Sequence, residues 1–156
     1  THVDNRHVPV PLASIPYVAG VNNHMGSKLT QLPVPMHAVM ETLSSRQLFF
    51  LDSRTSEFSV AEDTAKSVGV NSNRRHVFLY NETDKAYLAP QFKTLLRYAR
   101  KHGSAVGIGH PYPETLDFLK QHLPQLEEQG IELVFASELT VAPNRSMSLL
   151  PVTSAK

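Results

Sequence analysis

The chain predicts an α/β fold built on a mainly parallel sheet, with any site at the carboxyl ends of its strands. Short apolar runs alternate along the sequence with segments of helical period. The runs are apolar throughout rather than at every second residue, the pattern of strands covered on both faces. Gly and Pro mark the junctions between them.

The runs and helices follow in order. YVAGV (17–21) reads as a short buried strand, and the polar VNNHMGSKLT after it as a loop. From Pro33 to about Arg46, Met36, Val39, Met40 and Leu43 recur at helical spacing. LFFLD (48–52) is a strand ending in an acid. Thr55 or Ser56 is expected to cap the next helix, with Phe58, Ala61, Ala65 and Val68 on one side and Gly69 as its stop. HVFLY (76–80) is a strand, and a helix over about 84–102 follows, striped by Leu88, Phe92, Leu95, Leu96 and Ala99, with Pro90 in its first turns and Gly103 at its end. SAVGIGH (104–110) is a strand. Pro113 opens a helix that runs to Gly130, and IELVFA (131–136) reads as the last strand. The reading expects a single domain over 1–156, with 1–14 an N-terminal segment of uncertain structure and 142–156 a loose tail.

Composition narrows the function classes. The chain has 156 residues, 41% apolar and 19% charged, an ordinary globular balance able to bury one core. A net charge of +1 gives no electrostatic case for nucleic acid. No segment has the apolar length of a membrane span, and THVDNRHVPVPL lacks the apolar core of a signal peptide. There is no cysteine, so a metal here must use histidine, carboxylate or water, which favours zinc or a similar divalent ion. A Gly-rich phosphate loop and a G-x-S-x-G elbow are both missing.

In a parallel sheet, chemistry collects beyond the carboxyl ends of the strands. Asn22, Asn23, His24, Asp52, Ser53, Arg54 and His110 occupy such ends, and Glu138 is expected to join them. An imidazole serves as ligand or proton donor because its pKa lies near neutrality. His24 alone reads as a loop histidine bonding the backbone, and His110 at a second strand end makes a shared site the better reading. Asp52 reads either as a helix cap or as a carboxylate that orients a histidine or a substrate hydroxyl, with Arg54 steadying an anion. Asn22 and Asn23 suit either a turn or contacts to a sugar hydroxyl or oxyanion. Gly107 and Gly109 allow close packing or the approach of a ligand. Tyr112 and Glu114 stand at a helix start, where they line a cleft rim or simply begin the helix. Arg74, Arg75 and His76 read as a solvated strand entrance.

GVNNHMGS (20–27), FLDSRTS (50–56), HVFLYN (76–81), GSAVGIGHPYPETL (103–116) and GIELVFAS (130–137), in that order, resemble the divergent polysaccharide deacetylase family over roughly residues 15–140. The resemblance implies a distorted or incomplete (β/α) barrel and metal-dependent removal of N-acetyl groups from an amino-sugar polymer. It implies His24 as a metal ligand and His110 as the general acid, with Asp52 and Arg54 assisting catalysis and Asn22, Asn23, Ser53 and Tyr112 lining the substrate. His7, in HVPVP, weakly resembles a further family histidine and is the second metal candidate. The family's usual export signal or anchor implies the cell envelope or periplasm. The family's opening strand with paired aspartates has no counterpart here, and Asp4 is a faint echo of it. The chain is therefore read as a fragment or as lacking internal stretches, with zinc bound weakly or not at all. The alternative function is a non-catalytic envelope module that binds glycan or protein on the same scaffold.

Overall fold

The computed structural model describes residues 15–79 and 85–140, so His7 and both terminal segments lie outside it. Five strands are present among these residues: β1 (Gly20–Asn22), β2 (Phe49–Asp52), β3 (Ser72–Arg74), β4 (Val77–Phe78) and β5 (Gly107–Ile108). All pairings are parallel, in two open ladders of order β1-β2-β3 and β4-β5. The mainly parallel α/β class expected from the sequence is the class observed. Between Arg75 and His76 the chain changes ladder: the Arg75 N–H donates to Asp52 O at 2.8 Å and the His76 N–H to Val106 O at 2.9 Å.

Four α-helices are present among the described residues: α1 (Pro33–Ser45), α2 (Ala61–Val68), α3 (Lys85–His102) and α4 (Pro113–His122). Pro33 opens α1 at a position where its missing N–H costs nothing, and Met36, Met40 and Leu43 fall on one buried face. Full burial of a side chain such as Met40 contributes about 1.5–3 kcal/mol. Ala61 and Ala65, both fully buried, let α2 lie close against α1 and β2. Gly69 ends α2 at φ 86°, a left-handed conformation that favours glycine. A second core gathers Val77, Leu79, Leu88, Phe92, Leu96 and Leu126.

Three expectations need correction. The helix predicted from Thr55 or Ser56 begins instead at Ala61, and Phe58 is exposed. The buried Asp52 carboxylate claims the Ser59 hydroxyl at 2.7 Å, and Ser59 Oγ in turn accepts the Ala61 N–H at 3.3 Å. Ser59 thus ties one N–H of the helix start to Asp52, and residues 55–60 stay a loop. The helix from Pro113 ends at His122 rather than Gly130, and Pro124 falls in the 3-10 turn that follows. Residues 131–135 form no ladder, and Leu133, Val134 and Phe135 are exposed. An apolar run becomes a strand only where it pairs with a neighbour, and this one pairs with none among the described residues.

Candidate functional site

The carboxyl ends of β1 and β2 are tied together by polar bonds. Asn22 Nδ2 donates to Ser53 Oγ at 3.2 Å, and the Ser53 N–H donates to Asn23 Oδ1 at 2.8 Å. Asn23 Nδ2 and Thr55 Oγ1 both donate to Met25 O, at 3.1 and 3.2 Å. Much of the amide chemistry of Asn22 and Asn23 is therefore spent on holding the loops. Met25 (φ 56°) and Arg54 (φ 49°) are left-handed, although neither is glycine. Such a residue costs about 1–3 kcal/mol and persists only where its surroundings over-determine it. Here they do: Met25 O holds two donors, and the Arg54 N–H donates to Asp52 Oδ1 at 2.8 Å.

His24 and His110 come together as the sequence suggests. Their rings lie 5.4 Å apart and nearly perpendicular, joining an exposed loop after β1 to a half-buried residue after β5. The Tyr112 ring is 5.8 Å from His110, and the Phe78 ring, on the neighbouring strand β4, is 6.5 Å from it. Asp52 is fully buried, and its two oxygens serve Arg54 N–H and Ser59 Oγ. Its carboxylate thus reaches the histidines only through the loop that it shapes. Glu114 stands in the first turn of α4.

Two residues read as a solvated entrance turn out to be structural. Arg75 is half-buried, donates through Nε to Ser53 O at 2.7 Å and through Nη2 to Arg54 O at 2.9 Å, and lies 4.7 Å over the Phe78 ring. Burial, and next the charge of Arg54, hold its pKa below the ordinary value, while Asp52 and Tyr87 act the other way. His76 accepts the Val106 N–H on Nδ1 at 2.9 Å and stacks on Tyr98 at 4.6 Å. Burial, then Arg74, lowers its pKa. The only hint of either role in the sequence is their place at a strand junction.

Glu138 does not join this group. It sits in a 3-10 turn (Ala136–Leu139) and accepts the Phe135 N–H at 2.9 Å. Ser137 and Thr140 line a cavity of about 380 Å³ with Ala19, Leu48, Phe49 and Val70, at the amino ends of the strands and opposite the histidines. Among the described residues, no three His, Asp or Glu side chains converge as a metal set. No helix among them is long and apolar enough to cross a membrane.

The profile of a family described as divergent polysaccharide deacetylase matches residues 4–140. An uncharacterized protein of Haemophilus influenzae is 50% identical over 115 residues, covering 74% of this chain and 41% of that protein. The uncharacterized protein YibQ of Escherichia coli is 39% identical over 138 residues, covering 88% of this chain and 43% of YibQ. The chain therefore spans about two fifths of the length of these curated relatives. In solved form, the uncharacterized protein ATU2773 of Agrobacterium tumefaciens C58 shares the fold with a TM-score of 0.75 at 27% identity, over 78% of this chain and 49% of that one.

Proposed function

Because the chain belongs to the divergent polysaccharide deacetylase family, we propose that its strand-end site hydrolyses N-acetyl groups from an amino-sugar polymer in the cell envelope or periplasm. The observation that carries the reading is the perpendicular pair His24 and His110, 5.4 Å apart at the carboxyl ends of two parallel ladders. His110 is assigned as the acid that protonates the departing amine. Tyr112 stands beside it to line the sugar. Asn22, Asn23 and Ser53 fix the loop that faces the ligand, and Asp52 and Arg54 set that loop's kink.

A divalent ion such as zinc would polarise the amide carbonyl and lower the pKa of a bound water. A catalytic zinc takes three protein ligands plus water, and the described residues do not complete that set. His24 is this chain's own candidate ligand. Calorimetric titration with zinc should show weak binding that His24→Ala abolishes, and tight binding that survives His24→Ala removes it from that role.

The reading is tested with an N-acetylglucosamine oligomer, on this chain and on a form extended to the length of its relatives. His110→Ala should lower turnover by about a hundred- to ten-thousand-fold in the active form. Equal turnover in both proteins makes His110 structural. Glycan binding with no hydrolysis in either form favours the non-catalytic module instead.

A further inference from the structure

Arg75 is held by two backbone carbonyls and the Phe78 ring, and one edge of its guanidinium is left to meet a ligand. Nε and Nη2 lie along one edge of the guanidinium, and that edge is committed to the carbonyls of Ser53 and Arg54. One face of the group is covered by Phe78. What remains is the end-on fork of Nη1 and Nη2, the edge that matches a carboxylate or phosphate through two parallel hydrogen bonds. Its rotamer entropy is already lost on folding, so an anion meets a pre-organised group.

The local charges agree. Arg54 lies close enough to act electrostatically on Arg75, and its own Nη2 donates only to a backbone carbonyl, Glu57 O, at 3.2 Å. The nearby carboxylate is Asp52, which is fully buried with both oxygens engaged. No salt bridge joins Arg54 or Arg75 to an acid among the described residues. The ring that Arg75 covers lies 6.5 Å from His110, which brings the arginine into the neighbourhood of the proposed site.

We propose that Arg75 and Arg54 form a subsite for a carboxylate or phosphate group of the ligand. Resting on the amino-sugar reading above, this makes the preferred polymer an acidic one. The competing role for Arg75 is to pin the loop alone.

Calorimetry on the full chain separates these with three probes: an N-acetylglucosamine tetramer, a tetramer alternating N-acetylglucosamine with carboxylate-bearing N-acetylmuramic acid, and inorganic phosphate. The acidic tetramer should bind about tenfold tighter than the neutral one, and salt should erode the difference. Arg54→Gln should cut that preference severalfold without unfolding the chain, because its guanidinium makes a single exposed bond. Arg75→Lys keeps the charge and loses the fork, so it should cut the preference as well. A melting curve on each variant reports any loss of the loop tie. Equal affinity for both tetramers overturns the subsite and leaves the amino-sugar reading standing. A preference unchanged in both variants also overturns it, as does failure of all three probes to bind. Arginine-dependent phosphate binding with neither tetramer bound supports the subsite and removes the amino-sugar reading.

Discussion

The two ladders hold their shares of the site by different means. In β1-β2-β3, the central strand β2 is paired on both sides, and its exit loop is fixed by Asp52, Ser53, Asn22, Asn23 and Thr55 through named polar bonds. In β4-β5, each strand is two residues long, and order comes mainly from packing and from rings, Phe92 against Phe118 at 5.4 Å and His76 on Tyr98 at 4.6 Å, with the Val106 N–H to His76 Nδ1 bond as a side-chain tie. Directional bonds fix the positions of atoms, whereas ring packing tolerates small shifts. The His24 loop should therefore be set more sharply by polar substitutions, and the His110 side by changes of volume.

The largest effect that would break this contrast falls on Asp52. Asp52→Ala strands the Ser59 hydroxyl and the Arg54 N–H in a buried setting, at a cost of about 3 kcal/mol. Urea unfolding should show that loss, and amide shifts should move at Asn22, Asn23 and Ser53. A loss below about 1 kcal/mol would mean that polar ties do not set this half.

Next comes Gly107→Ala. A Cβ there would stand 2.8 Å from Leu95 Cδ2 and 3.3 Å from Leu79 Cδ1. Overpacking of this kind costs about 1–3 kcal/mol and should shift His110 more than His24 in chemical-shift maps. Equal shifts at both histidines count against the division of labour.

The smallest effect is on pH. His76 must be neutral for Nδ1 to accept the Val106 N–H, and its folded pKa lies below the ordinary 6.5. The unfolded chain therefore binds the proton more readily. The contribution of His76 is full above about pH 6.5 and is lost as pH falls through the folded value. Arg74, Arg75 and His102 add to the shift and Glu62 opposes it, so His76→Gln should flatten the acid limb rather than abolish it. Melting temperatures at pH 7.5 and 5.5 that fall equally in both proteins would remove His76 from this role.

The features legible in the sequence were those set by local patterns. Pro33, Gly69 and Gly103 mark helix ends because proline and left-handed glycine act within one turn. His24 and His110 could be placed together because parallel strands carry their carboxyl ends to one side. Arg75 was not legible, because its partners are carbonyls more than twenty positions earlier in the chain. Ser59 is not legible for a related reason: nothing in the sequence marks it above Thr55 or Ser56, and only its bond to the buried Asp52 sets where the helix begins. The run 131–136 has strand composition, but composition does not supply a pairing edge.

That run has a colloidal consequence. Leu133 and Phe135 are 68% and 81% exposed, on backbone that joins no ladder. Extended apolar backbone of this kind is a template on which another chain can add. A net charge of +1 supplies little long-range repulsion to keep two molecules apart. Crowding the protein therefore makes this segment one route to association. Leu133 lines a cavity with Ser104 and Ala105, which precede β5, so it can be changed without touching the histidine that follows that strand.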